Sequence, residues 1–205
     1  MTLPKAGYRL VGANDVQVID GKVFVVFSSA GPQVPPGLPK DITAALRQQA
    51  GRVVRVGPGD ATAVANISAV EFGQNPDGSV VDSNPYGLAM APGYRVATDA
   101  AGNSLIGFNP SGATKVLAVF PDNHVGGQSV DCVPTDVVRS GSSYYVSCLG
   151  SEIDGNASVW KVPAAGGSPT KVAGNLTAAV GIDVDGKGNL YVAQLFNSWA
   201  GPRHR

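Results

Sequence analysis

Four polar residues stand at the starts of comparable β-forming runs: Asp15 in DVQVID, Asn84 in NPYGLAM, Asp136 in PTDVVR and Asp183 in GIDVD. Gathered around one axis they would form a ring of oxygen donors, the ligand type that suits Ca²⁺ or Mg²⁺. Crowded carboxylates also repel one another, so a cation or a cationic group on a partner would relieve them. Tyr86 follows Asn84, and Asn75, Asp77 and Asp82 lie in the loop just before it. A purely local account exists for each of these residues. Asp and Asn satisfy backbone N–H groups at strand starts, and NPDG is a type I turn by composition.

Covalent catalysis finds little support. GxSxG, CxxC, HExxH and phosphate-cradling glycine patterns are all missing. The only histidines are His124 and His204. A Ser-His-Asp triad would rest on His124, which has no clear nucleophile beside it in its Gly-rich loop, so no catalytic residue is expected. Cys132 and Cys148 flank one strand pair. Two packed thiols and a disulfide both remain open, because disulfide geometry is strict; a bond would imply an oxidising compartment.

The elements that must position these groups are short strands. Of 205 residues, 27 are Gly and 15 Pro, which rules out long helices. Every acid except Glu71 and Glu152 is Asp, the carboxylate that favours turns. Hydrophobic residues make up 43% and charged residues 15%, so a core can form and disorder is excluded. The formal net charge is +0 with no basic run, which argues against a nucleic-acid partner. No apolar stretch reaches the length of a membrane helix, so no membrane insertion is expected. MTLPKAGYRL lacks the charged start and apolar stretch of a signal peptide.

The β runs repeat. DVQVID turns through Gly21 into KVFVVFS, NPYGLAM through Pro92-Gly93 into YRVAT, PTDVVR through SGSS into YYVSCL, and GIDVD through GKGN into LYVAQ. GRVVRV, SLIGF and SVWKV supply third strands, and ATAVANI, TKVLAVF and TKVAGNL supply fourth ones. Val25, Val96, Val146 and Val192 mark the repeat at intervals of 71, 50 and 46 residues. Removing the unmatched segment 29–50 brings the first interval to 49. Four strands in just under 50 residues is the unit of a β-propeller blade. The expected fold is therefore all-β: a single incomplete propeller domain over 1–205, with about three and a half blades at about 12–72, 84–120, 133–176 and 178–195. The insertion 29–50 carries the one expected helix, with Asp41 as N-cap and Ile42, Ala45 and Leu46 on one stripe. It reads as a surface flap or a lid over a ligand.

Loop growth falls at one end of the repeat. The flap, EFGQNPDGSVVDSNPYG, PDNHVGGQSVDCVPT and GSEIDGNA all belong to that end, while the other keeps tight turns. Binding residues concentrate on long loops over a rigid scaffold. Any ligand is thus expected at the decorated end, with Asp15, Asn84, Tyr86, Asp136 and Asp183 at the channel mouth and Asn75, Asp77 and Asp82 above it. With fewer blades than a closed ring needs, the chain is expected to be partial and to self-associate.

The stretch from NPDGSVVDSNPYGLAMAPGYRVATDAAGNSLIGF to QSVDCVPTDVV and SYYVSCL resembles the ScyD/ScyE family, densest at DSNPYGL and at DAAGN from Asp99 to Asn103. That resemblance implies a six-bladed, NHL-like propeller, often exported and associated with scytonemin-type gene clusters, with no established activity. It departs from the family where Asp131 and Cys132 interrupt QSVPT. The functional expectation is a binding or interaction module in an extracytoplasmic compartment, whose partner is a protein or a small molecule. The alternative is a metal-dependent hydrolase of the gluconolactonase type, with Ca or Mg in the ring. Such sites also use a Glu, and neither Glu71 nor Glu152 begins an inner strand.

Overall fold

The structure is a computed structural model describing residues 12–198, apart from 30 and 35. MTLPKAGYRL and His204 in the GPRHR tail lie outside the described residues.

The order is β1 (Ala13–Ile19), β2 (Lys22–Phe27), α1 (Lys40–Gln49), β3 (Arg52–Gly57), β4 (Asp60–Asn66), α2 (Ser68–Gln74), β5 (Pro85–Ala91) and β6 (Tyr94–Asp99). There follow β7 (Ser104–Phe108), β8 (Thr114–Val119), β9 (Asn123–Val125), β10 (Gln128–Val130), β11 (Pro134–Ser140) and β12 (Ser143–Cys148). The last are β13 (Ala157–Pro163), β14 (Thr170–Leu176), β15 (Ala179–Val184) and β16 (Leu190–Gln194). Three four-stranded antiparallel meanders result, β1 to β4, β5 to β8 and β11 to β14, followed by the two-stranded β15–β16. Tight turns impose this order. At Asp20-Gly21 both residues have positive φ, 50° and 70°, the twist a two-residue hairpin needs.

The inner strands face one another in sequence, β1 against β5, β5 against β11 and β11 against β15. Two apolar cores lie between the sheets. Phe24, Val26 and Val53 of the first meet Leu88, Ala97 and Ile106 of the second. Ala89, Val96 and Leu105 meet Val137, Val146 and Trp160 across the next gap. Trp160 is packed edge-on to Phe120, as a residue between sheets.

The register corrects one repeat assignment. Val25 pairs with Val16, Val146 with Val137 and Val192 with Ile182, whereas the matching pair in the second sheet is Ala97 with Leu88. Val96 is one residue off and faces the third sheet. A small residue at the true position broke the valine pattern.

Two expectations about helices also change. Pro39, not Asp41, is the N-cap of α1, without a side-chain cap; Asp41 lies in the first turn, where it complements the helix dipole. A second helix, α2, occupies what reads in sequence as the end of a strand and a loop. The Asn66 Oδ1 accepts from the Ala69 N–H at 3.2 Å, and Ile67 and Val70 are buried. The Gly-rich loop around His124 likewise contains the β9–β10 hairpin, turning at Gly126-Gly127.

Candidate functional site

Each inner strand carries a bulge near its start, between Ala13 and Asp15, Pro85 and Leu88, Pro134 and Asp136, and Ala179 and Gly181. Bulges bend a strand and re-aim its side chains. Here they bring Asn14, Tyr86, Thr135 and Val180 to one level of the channel, with Asp15, Gly87 and Asp136 beside them, around a constriction of about 130 Å³. Gly87 has no alternative there. A Cβ on it would sit 2.4 Å from the Thr135 carbonyl oxygen and 2.8 Å from the Asp136 Cα.

Asp15 and Asp136 do the same job in different sheets. Asp15 accepts from the Val16 N–H at 2.6 Å and, across to the second sheet, from the Leu88 N–H at 2.8 Å. Asp136 accepts from the Val137 N–H at 2.7 Å and, across to the fourth sheet, from the Ile182 N–H at 2.9 Å. Burial pushes both pKa values up, and these backbone donors pull them back; the charges of Asp15 and Asp183 push Asp136 further up.

The four residues expected at matching positions do not share one register. Asp15 and Asp136 do, opposite Val26 and Ser147; the corresponding residue in the fourth sheet is Gly181, opposite Ala193. Asp183 lies two residues on, exposed, and accepts from the Val184 N–H at 2.7 Å. Asn84 precedes β5, its N–H donating to Asp99 and its Oδ1 accepting from Asn14 Nδ2 at 3.4 Å. Beyond the constriction the channel widens into a cleft of about 420 Å³ toward the tight-turn end, opposite to the decorated end at which the loop lengths place a ligand. Asp15, Gln17, Tyr94, Asp136, Arg139 and Asp183 supply its polar lining.

Asn75, Asp77 and Asp82 gather elsewhere, near Glu71. Asp77 accepts from the Ser79 N–H and Oγ, and Asn75 Nδ2 donates to the Ser79 carbonyl. Glu71 is 1% exposed, and its carboxylate has no well-formed hydrogen bond, only the approach of the Asp82 backbone; the Oδ1 of Asn75 has no partner. Burial first, then the charges of Asp77 and Asp99, push the Glu71 pKa up to about 7, with the Asp82 backbone acting weakly in the other direction. Asp99, almost fully buried, accepts from Ser83 Oγ at 2.5 Å and from the Asn84 and Gly102 N–H groups. Sequence reasoning set Glu71 aside because it does not begin an inner strand.

Cys132 and Cys148, both fully buried, are joined in a disulfide with Cα atoms 5.2 Å apart. His124 is exposed. Among the described residues no group of three or more His, Cys, Asp or Glu is placed to hold a metal ion. Each oxygen of Asp15 and of Asp136 already accepts one backbone N–H.

Virginiamycin B lyase from Staphylococcus aureus superposes on this chain with a TM-score of 0.51 and 16% identity, over 90% of this chain and 64% of that one. A streptogramin B lyase structure gives 0.51 and 11%, over 89% and 55%. The protein is a β-propeller. The three four-stranded sheets are complete blades and β15–β16 is half of a fourth. The propeller segment thus spans under two thirds of the length of either lyase. A gluconolactonase-like protein superposes at 0.49, with 19% identity over 89% of this chain and 55% of that one. No protein-family model matches the chain, and no curated protein sequence does.

Proposed function

We propose that this propeller is a binding module whose channel takes a small polar ligand bearing a cationic group. One observation carries the reading. Three carboxylates, Asp15, Asp136 and Asp183, line the 420 Å³ cleft, and its one guanidinium, Arg139, lies over the Tyr94 and Tyr144 rings at 4.7 and 5.8 Å. The volume falls in the range of small-molecule sites. A ligand ammonium between the carboxylates would favour their charged forms, which burial opposes.

In the alternative, a metal-dependent hydrolase of the lactonase type, Asp15 and Asp136 would bind the metal beside the backbone N–H groups they already accept. Within propellers, DSNPYGL and DAAGN support placement beside the ScyD/ScyE proteins. The buried Cys132–Cys148 bond supports an extracytoplasmic location, where disulfides persist.

The test is calorimetric titration with 1,4-diaminobutane against butanediol, on wild type and Asp183→Ala, with lactone turnover assayed in parallel in Ca²⁺ and Mg²⁺. Saturable, salt-sensitive diamine binding that weakens in the variant is expected, with no turnover. Lactone turnover, or no preference for the diamine over the diol, overturns the reading.

A further inference from the structure

The insertion 29–50 does not pack down as a helix onto a sheet. None of the ten residues of α1 is buried, and Ile42 on its apolar stripe is 45% exposed. Few contacts hold it, among them Gln48 Nε2 donating to the Ala61 carbonyl of β4. Between the insertion and the first blade lies a cleft of about 520 Å³, larger than the channel cleft.

Its floor is firmly built. The Gly51 N–H donates to the Ser28 carbonyl at 2.9 Å, and the Gly51 carbonyl accepts from the Ile67 and Ser68 N–H groups at 3.0 Å each. A Cβ at Gly51, which has φ +70°, would meet the Ser68 Oγ at 2.3 Å and its Cβ at 2.7 Å, so the Ser68 side chain fills the space that a glycine leaves beside β3. The flap and the start of α2 therefore stand over a firmly hydrogen-bonded floor.

The charge of this cavity is opposite to that of the channel. Arg47 and Arg52 line it, and no carboxylate does. Arg52 Nη1 donates to the Ala50 carbonyl at 2.8 Å, which uses one of the five N–H donors of a guanidinium that lines the cleft. Ser29 and Asn66 add polar groups, while Leu46 and Phe72 supply apolar wall. Guanidinium forks match carboxylates and phosphates in two-pronged geometry. The apolar wall adds a requirement that a bare inorganic ion does not meet.

We propose that the cleft beneath the insertion is a second ligand site, selective for a small organic carboxylate with an apolar body. Arg52 is its anchor, Arg47 on α1 its closing charge, and Leu46 and Phe72 the surfaces that hold the body. No residue that lines it also lines the channel cleft, so this site is separate from the channel.

The experiment titrates the 205-residue chain with phenylbutyrate, phenylbutylamine and inorganic phosphate, followed by calorimetry and amide NMR. Phenylbutyrate is expected to bind saturably, shifting amides of Arg47, Arg52, Asn66 and Phe72 and leaving those of the channel unmoved. Phosphate should compete only weakly, and the amine should leave these amides unshifted. The Arg47→Gln/Arg52→Gln variant should lose about tenfold or more in affinity at an unchanged melting temperature, and Arg52→Lys should recover only part of it, lacking the fork. Unchanged affinity in the double variant, equal binding of the amine, or the absence of saturable shifts overturns the proposal. Phosphate binding as tightly as phenylbutyrate overturns the requirement for an apolar body.

Discussion

Val16 and Leu88 hold the same register position in consecutive blades, yet Leu88 is 0% exposed and Val16 is 55% exposed. The difference is what each faces. Leu88 meets the first blade, and Val137 and Ile182 at the same position meet the second and third; Val16 and Val18 lie on the face of the first blade that no other blade covers among the described residues. The far side mirrors this, since Tyr191 matches Phe24 in register but is 60% exposed against 8%. Burying such a side chain is worth about 1.5–3 kcal/mol. The 205-residue chain should therefore associate through these faces, giving a concentration-dependent mass in light scattering. Val16→Ser/Val18→Ser/Tyr191→Ser should lower that mass. A wild-type chain that stays monomeric at all concentrations contradicts this.

The repeat, the strand pairs and the decorated end were legible in the sequence because they follow from local chemistry, turn residues and alternating Val, Ile and Tyr. What was not legible depends on neighbours distant in sequence. The pairing of Ala97 with Leu88, in place of Val96, shows only in the register. Asp15 and Asp136 read as ligands because their partners, the Leu88 and Ile182 N–H groups, lie 73 and 46 residues away. Glu71 gave no hint of burial, since α2 looks like the end of a strand until its contacts with β8 form.

The disulfide should carry measurable stability. Cys132 and Cys148 are 16 apart in sequence, and the chain-entropy account assigns roughly 3 kcal/mol to a loop of about 15 residues. Cys132→Ser/Cys148→Ser should lose about that much in urea titration, and reductant should lower the wild type toward the variant while leaving the variant unmoved. Equal stability with and without reductant would remove this role.

Glu71 should make stability fall as pH rises. Its folded pKa is pushed up to about 7 from 4.5, so below the ordinary carboxyl range folded and unfolded chains both hold the proton. Between there and about 7 only the folded chain holds it, and stability drops steadily, by at most roughly 3 kcal/mol. Asp99 and Asp131, also raised by burial, act in the same direction. Glu71→Gln removes the charge facing Asp77, Asp82 and Asp99. Compared at about pH 4 and about pH 8, it should match wild type at the lower pH and exceed it by roughly 1–3 kcal/mol at the higher. A wild type no less stable at pH 8 would show that Glu71 is ionised without cost.

Gly87 should tolerate a methyl group far less than Gly93. At Gly87 the added Cβ runs into the Thr135 carbonyl and the Asp136 Cα, backbone that moves only if the second and third blades part. Gly93 has φ +93° and open space, so Gly93→Ala meets only the conformational cost, about 1 kcal/mol. Gly87→Ala should cost about 2–3 kcal/mol by overpacking. Similar melting temperatures for the two variants would mean that the blades slide apart freely at the constriction.

Asp136 and Asp183 should separate stability from binding. Removing the Asp136 carboxylate strips the acceptor from the Ile182 N–H, in a residue that is 8% exposed, and loosens the half blade from the third. An orphaned buried donor costs roughly 1–3 kcal/mol, so Asp136→Ala should unfold at lower denaturant, while Asp136→Asn, which keeps one carbonyl oxygen, should lose less. Asp183 is exposed and bonds only to its own neighbour, so Asp183→Ala should change stability by less than about 0.5 kcal/mol. Both aspartates line the same cleft, however, and both variants should bind 1,4-diaminobutane more weakly than wild type. Denaturant titration beside calorimetry distinguishes the cases. If Asp183→Ala leaves diamine affinity intact while Asp136→Ala lowers it only in step with stability, the carboxylates join blades and nothing more, and the ligand has to be sought outside the channel.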